Sequence, residues 1–165
     1  MAETEDEQYR VVRIFPDYGH SSIWFADAYP FDYEECAISA ELRASFEVWE
    51  QFYYRHVGYS SQRLPTRLAE YNDQGRRLAR QLADEIGPGF EVECSSPEAT
   101  GTTRFSASGP ARNTAAAAAF ARVREESRAD DLAMRSRLAD GRERGRTYGW
   151  TAHSPKTGED FSNPS

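Results

Sequence analysis

The turn after the first predicted strand combines a carboxylate, an imidazole and two hydroxyls, from Asp17, His20, Ser21 and Ser22. Nucleophilic catalysis needs a base within hydrogen-bond reach of the nucleophile, and a third group that orients the base. Neighbours within one turn rarely reach that alignment, because catalytic triads combine residues from separate segments of a chain. We therefore expect these side chains to form turn contacts or a partner-binding loop, and we predict no enzymatic activity.

Motifs that hold phosphates, zinc or a catalytic serine are absent, since the sequence contains no GxxxxGK[ST], GxGxxG, HExxH or GxSxG pattern. The two cysteines, Cys36 and Cys94, lie far apart, and no CxxC spacing occurs. We expect them to be reduced, partly buried thiols, with a disulfide between them as the alternative. The sequence predicts neither a metal site nor a cofactor.

The segment after the second predicted strand carries many aromatic and acidic residues. Its rings could cover the sheet edge and the helix ends, or they could form an acidic, aromatic surface for a basic partner protein, because Tyr and Trp are frequent at binding hot spots. In this strand and the segment after it, the residues that we predict as contacts are Trp24, Tyr29, Asp32, Tyr33 and Glu35.

Charge is unevenly distributed along the chain. Residues 1–100 hold 9 basic and 19 acidic residues, a net charge of −10, whereas residues 101–150 hold 10 arginines and 6 acids, a net charge of +4. Arginines here could dock onto an acidic protein surface, including that of this chain, or bind nucleic acid through phosphates and stacking. The net charge of −7 argues against nucleic acid, so we predict a clamping tail with Arg142, Arg144, Tyr148 and Trp150 as contacts.

Periodicity in the first 95 residues predicts five elements. They are a strand over 9–15, a short strand over 23–25, a helix from the Ser39 cap to about His56, a helix from Pro65 to Ile86 and a strand over 90–94. This order favours an α+β two-layer sandwich, in which two antiparallel helices pack on a small antiparallel sheet.

The rest of the chain reads as appended segments around that α+β domain of residues 9–95. We expect a disordered acidic lead over 1–8, a linker over 96–112 in which Thr102 to Ala107 could add an edge strand, and a flexible tail over 141–165. Between linker and tail, an Arg-rich helix over 113–140 has a thin apolar face. That helix should gain little from packing on its own domain, and it could support a homo-oligomer.

Membrane insertion and export are not expected. Mean hydropathy is −0.78, and no apolar run approaches the roughly 18 residues that a membrane span needs. The first seven residues are acidic, whereas a secretory signal begins basic and then becomes apolar. We therefore expect a cytoplasmic protein.

The first half of the chain resembles small uncharacterised bacterial α+β proteins that look like toxin-immunity proteins. The resemblance covers about residues 10–94 and rests on turn and core residues. These are Asp17-Tyr18, Ile23-Trp24, Ile38-Ser39, Leu42, Trp49, Gly75, Leu78-Ala79, Leu82, Glu85-Ile86-Gly87 and Val92.

Together these observations predict a non-enzymatic protein that binds a partner with a basic surface and inhibits or adapts it. The resemblance implies an immunity-like role, and a phage counter-defence role is a related setting. The alternative is a structural or assembly protein, of a phage or an oligomer, whose tail orders on a neighbouring subunit. A nucleic-acid accessory protein is a third possibility.

Overall fold

In this computed structural model, the described residues are 7–17, 21–25, 29–58, 65–95, 102–143, 151–153 and 160–162. The chain divides into two compact units, Met1–Ser127 and Arg128–Ser165. The first unit contains a five-stranded sheet, two complete helices and the start of a third. Within the described residues, no helix is both long and apolar enough to cross a membrane.

The sheet of the first unit has the strand order β3-β2-β1-β4-β5. Its strands are β1 (Val11–Ile14), β2 (Ile23–Phe25), β3 (Tyr29–Pro30), β4 (Glu91–Ser95) and β5 (Thr102–Ser106). The helices of the chain are α1 (Ala40–Tyr53), α2 (Pro65–Ile86) and α3 (Thr114–Glu143). The prediction of an α+β fold with a C-terminal helix is confirmed, and the edge strand that the sequence allowed after residue 102 is β5.

The sheet is mixed, so the prediction of a wholly antiparallel sheet is wrong. β1 and β4 run parallel, with Val12 beside Val92, whereas the other neighbouring strands are antiparallel. Adjacent antiparallel strands can be joined by a tight turn, but a parallel pair needs a long crossover connection. Here β2, β3, α1 and α2 all lie between β1 and β4 in sequence, which gives the chain room to return to the same end of the sheet.

Helix α1 begins where the sequence predicts it. Ser39 has an extended backbone, and its hydroxyl accepts a hydrogen bond from the Leu42 amide at 3.3 Å, as an N-cap residue does. Leu42, Phe46 and Trp49 are buried at helical spacing. The α-helical part ends at Tyr53 and continues as a π-helical segment to residue 58.

Helix α2 packs its predicted face against α1 and the sheet. A side chain at Gly75 would meet the Trp49 ring at 2.9 Å and the Cys94 sulfur at 3.0 Å, so only glycine allows this close approach. Gly87 follows the helix with φ of +83°, the left-handed conformation typical of helix ends. The buried residues of α2 are Leu68, Tyr71, Gly75, Leu78, Ala79, Leu82, Ala83 and Ile86.

The start of α3 belongs to the core of the first unit. Asn113 caps it, since its side-chain oxygen accepts a hydrogen bond from the Ala116 amide at 3.1 Å. Ala116 and Phe120 are fully buried, and the Phe120 ring lies 4.9 Å from the Phe31 ring and 5.8 Å from the Phe90 ring. The expectation that this helix gains little from packing is wrong for its first two turns, because one large ring on a thin apolar face fills the gap between three other rings.

The second unit contains the rest of α3 and two short antiparallel strands, β6 (Thr151–His153) and β7 (Asp160–Ser162). These strands lie in the segment for which the sequence predicts a flexible tail. Along α3, the side chains from 128 to 140 are exposed. They include Leu132, Met134 and Leu138.

Candidate partner-binding surface

Most described rings of the predicted aromatic surface face the core. Phe25, Phe31 and Tyr33 are 2%, 4% and 5% exposed. The prediction that Tyr33 is a surface contact is therefore wrong, and the alternative of rings that cover the sheet edge describes these three side chains.

A hydrogen-bond network explains why a tyrosine can be buried at position 33. Its hydroxyl donates to the Glu50 carboxylate and accepts a hydrogen bond from the Ser22 amide at 3.1 Å. The Ser22 hydroxyl donates to the same carboxylate oxygen at 2.6 Å. Burial, with help from the Glu50 carboxylate, raises the pKa of Tyr33 well above its usual value, so the hydroxyl stays protonated. Tyr33 thereby joins its loop to α1.

Ser21 and Ser22 take part in turn contacts, which the sequence analysis offered for this segment. Both are buried, and the Ser21 hydroxyl accepts a hydrogen bond from the Ile23 amide at 3.0 Å. His20 lies outside the described residues.

Trp24 is half-buried and lies on the other face of the sheet from Ile23 and Phe25. Its indole N–H donates to the carbonyl of Phe15 at 3.1 Å, and the two rings stack at 4.8 Å. Its cross-strand partner Arg13 donates to Glu93 at 3.1 Å, and Glu93 also accepts from Arg104 at 3.1 Å. Trp24 therefore neighbours a row of ion pairs on the sheet face that the core does not use.

Five other predicted contacts lie wholly or partly outside the described residues. The backbones of Tyr29 and Arg142 lie in β3 and α3, but their side chains are outside the described part of the chain. Arg144, Tyr148 and Trp150 lie outside the described residues.

An acidic patch lies beside α1, formed by Asp32, Glu34 and Glu35 of the preceding loop and by Glu47 of α1. Glu47 accepts a hydrogen bond from Arg43 at 3.0 Å, and this bond, with the nearby carboxylates of Glu34 and Asp32, raises the pKa of the guanidinium. Glu35 and Glu41 are exposed, and within the described residues neither side chain takes part in an ion pair. Of the two predicted acidic contacts, Asp32 is half-buried near Arg43, and Glu35 is exposed on the same loop.

A groove of about 410 Å³ separates the outer surfaces of α1 and α2. Val48 stands on its rim and is 63% exposed. The sequence analysis missed this residue, although a signal existed, because Val48 is an apolar side chain that does not follow the helical spacing of the core residues of α1. The groove is lined by Ala44, Ser45, Val48, Trp49, Gln74, Arg77, Leu78 and Gln81.

A second cleft, of about 500 Å³, shares Ser45 and Gln81 with that groove. It holds Glu85, which accepts hydrogen bonds from the amide and hydroxyl of Ser39 and from the Asn113 side chain. Glu85 therefore joins α2 to the starts of the two other helices.

Two further carboxylates lie at this cleft. Asp84 pairs with Arg112 at 3.1 Å and accepts two hydrogen bonds from Ser108. The hydrogen bonds from Ser108 are the main reason why the pKa of Asp84 is lowered. Glu41 remains exposed at the edge of the cleft. The cleft therefore adds an outward-facing negative charge next to the groove.

Comparison with known proteins adds one match. Residues 10–97 match the Serratia CdiI immunity protein-like family. The chain belongs to this family. The matched segment spans more than half of the 165 residues and confirms the resemblance to toxin-immunity proteins over nearly the same residues. No curated protein and no solved structure matches the chain.

Proposed function

We propose that this protein binds a toxin and holds it inactive, as a stoichiometric immunity protein without catalysis of its own. The observation that carries the proposal is the family match over residues 10–97. This match favours an immunity role over the phage counter-defence setting.

The acidic patch supports a basic partner surface. Several carboxylates beside α1 face solvent, and a surface of one charge sign accelerates association with a surface of the opposite sign. The buried rings do not contribute contacts in this proposal. Tyr33 holds the loop that carries Asp32 and Glu35 against Phe46 and Glu50 of α1.

The test is protection from a toxin. The full chain is produced in cells together with bacterial toxin domains, one at a time, and growth is followed after induction. We expect growth with the chain and arrest without it, and a complex of one copy of each protein by light scattering. Growth arrest that the chain does not relieve would contradict the proposal.

A second candidate, an assembly role, is favoured by α3. Its residues 128–140 expose three large apolar side chains, Leu132, Met134 and Leu138. Exposed apolar side chains on a helix are typical of a surface that another chain covers. Light scattering of the purified chain tests this role, since a concentration-independent monomer contradicts it.

A further inference from the structure

We infer that the toxin adds an extended segment of its own chain to the outer edge of β5, with an acidic side chain of that segment next to Phe105 and Arg80. The inference rests on the proposed function and names a surface that performs it. Three observations support it: an open sheet edge, the direction of the backbone groups along that edge, and two arginines of α2 on one side of it.

The two edges of the five-stranded sheet differ. β3 has only two residues, and the second of them is Pro30, which has no amide hydrogen to donate. β5 has five residues without a proline, its charged residue Arg104 is bound to Glu93 on the sheet face, and within the described residues it pairs with β4 alone. Short strands and prolines protect a sheet edge from pairing with another chain. β3 has this protection, and β5 does not.

The hydrogen bonds of the neighbouring strands fix the direction of the backbone groups. The Phe15 amide donates to the Ser22 carbonyl at 3.0 Å, one position beyond the pair of Ile14 and Ile23. The amides and carbonyls of successive residues in a strand point to opposite sides. Those of Phe15 point to β2, so those of Ile14 and Val12 point to β4.

The same alternation continues through β4 to β5. Val12 lies beside Val92 in the parallel pair, and register partners in parallel strands direct their backbone groups the same way, so those of Val92 point to β5. Its antiparallel partner Phe105 points back to β4. Thr102 and Ser106 lie an odd number of residues from Phe105, and they direct their amides and carbonyls away from the sheet. Another extended backbone is the partner that such a row of groups recognises.

Two arginines of α2 indicate the charge of the added segment. The Arg80 guanidinium lies 5.1 Å from the centre of the Phe105 ring, and the charge of Arg76 opposes the rise in the pKa of Cys94 on β4. Arg76 pairs with an aspartate of its own helix, whereas Arg80 is exposed and has no ion pair within the described residues. A side chain of the added strand next to Phe105 lies on the same face of the sheet as Arg80. A carboxylate there gains an ion pair.

A second copy of this chain suits the edge less well. Two antiparallel β5 strands are related by a twofold axis perpendicular to the sheet, so α2 of both copies would lie on the same face. Arg76 and Arg80 of one copy would then approach the same arginines of the other copy, and like charges disfavour such a pairing. An acidic segment of the toxin meets no such repulsion.

The first experiment measures the dissociation constant of the full chain for a toxin domain that it neutralises, with the toxin carrying an inactivating substitution. Ser106→Pro removes one outward amide and puts a ring in the path of an added strand, and an edge strand tolerates proline where its amide faces away from the sheet. Ser106→Ala is the matched control, because it keeps the amide at this exposed position. We expect binding to weaken at least about tenfold in Ser106→Pro and to stay within about twofold of wild type in Ser106→Ala.

Hydrogen exchange of the wild-type chain is a second measurement, which does not depend on the folding of the proline variant. The amides of Thr102 and Ser106 should exchange rapidly in the free chain and at least about tenfold more slowly in the complex. The Phe105 amide, which points to β4, should be protected in both states.

Arg80→Gln tests the charge of the segment. We expect several-fold weaker binding at low salt and a smaller difference at high salt, because salt screens exposed charges. Arg77→Gln is the matched control, since it removes the same charge from the same helix on the side that faces α1. This variant should stay within about twofold of wild type.

Several outcomes overturn the inference. These are Ser106→Pro that folds and binds like wild type, outward amides that exchange equally fast with and without toxin, and equal losses in Arg80→Gln and Arg77→Gln. A dimer of the free chain that Ser106→Pro converts to a monomer would make a second copy the occupant. In each of these cases the wild-type chain still neutralises the toxin and the proposed function stands. If the wild-type chain neutralises no toxin, the proposed function fails, and the inference fails with it.

Discussion

Glu93 and Cys94 are neighbours on β4, so their side chains face opposite sides of the sheet, and the two sides are stabilised by different interactions. Cys94 faces α2 among apolar side chains, and its sulfur lies close to the position that a side chain at Gly75 would occupy. Glu93 is 8% exposed on the other face, where Arg13 and Arg104 each donate to one of its oxygens. The face towards α2 is thus stabilised by close packing, and the other face by ion pairs.

The difference shows which face has charged and apolar groups available to a binding partner. The sheet face satisfies its central charges internally, and a partner would have to replace those ion pairs to gain from them. On the helix side, carboxylates and Val48 face solvent above a tightly packed interior. The packing inside α1 and α2 therefore holds in place the surface that these helices expose.

The largest expected effect on stability comes from disturbing the closely packed face. Gly75→Val places carbon atoms where the Trp49 ring and the Cys94 sulfur already lie. We expect the free energy of unfolding to fall by about 3 kcal/mol in urea titrations, because the stacked indole has little room to move. Gly109→Val is the control, since a side chain at Gly109 would meet nothing within 4 Å. Equal effects at the two glycines would contradict the close approach of α1 and α2.

Removing the carboxylate of Glu93 tests the face that is stabilised by ion pairs. Glu93→Ala leaves Arg13 and Arg104 facing each other without their shared acceptor. We expect a loss of about 2 kcal/mol in the free energy of unfolding, less than for a fully buried pair because both arginines are about one-third exposed. Glu70→Ala, which breaks the exposed pair with Arg67, should cost no more than about 0.5 kcal/mol. If Glu93→Ala lowers the free energy of unfolding no more than Glu70→Ala does, the ion pairs of Glu93 contribute little to stability.

The dependence of the free energy of unfolding on alkaline pH tests the closely packed face through its buried thiol, Cys94. Burial raises the pKa of both Cys36 and Cys94 to about 11, against about 8.5 for an unfolded thiol. Because the raised value belongs to the folded state, the stability contribution is complete below about pH 8.5 and is lost as pH rises towards 11. Cys94→Ala should therefore lose about 1–2 kcal/mol less than wild type between pH 8.5 and 10.5 in urea titrations. Parallel pH profiles for wild type and variant would argue that Cys94 is not buried in the folded protein.

The smallest effect on stability is expected in the acidic patch. Glu34 and Glu35 are exposed, so the double variant Glu34→Gln/Glu35→Gln should unfold within about 0.5 kcal/mol of wild type. Its association rate with the toxin should fall several-fold at low salt and approach the wild-type rate at high salt, because salt screens exposed charges. Glu125→Gln/Glu126→Gln removes the same charge from α3 as a control. An unchanged association rate in the first variant alone would exclude steering by the patch.

Local sequence signals predicted the elements well. The Ser39 cap, the proline at the start of α2 and the glycine after it are short-range features that act on the backbone directly. The buried residues of α2 also follow the helical period, since a helix of 22 residues repeats its apolar spacing several times.

Long-range pairings could not be predicted in the same way. The parallel register of β1 beside β4 depends on how two intervening helices pack, which no local pattern encodes. The burial of Tyr33 depends on Glu50, which is 17 residues away. The burial of Glu93 depends on Arg13 and Arg104, which lie on two other strands. Asp32 and Glu35 were thus named from the sequence and stay a prediction, whereas the groove beside Val48 was not anticipated.

Phe120 has a consequence for shortened versions of this protein. The family match ends at residue 97, before β5 and before Phe120. A fragment that stops there would leave the rings around Phe120 uncovered and β4 as an open sheet edge, a combination that promotes aggregation. The matched stretch therefore ends 30 residues before the end of the first compact unit, which extends to Ser127. The uncovered rings are Phe25, Phe31 and Phe90.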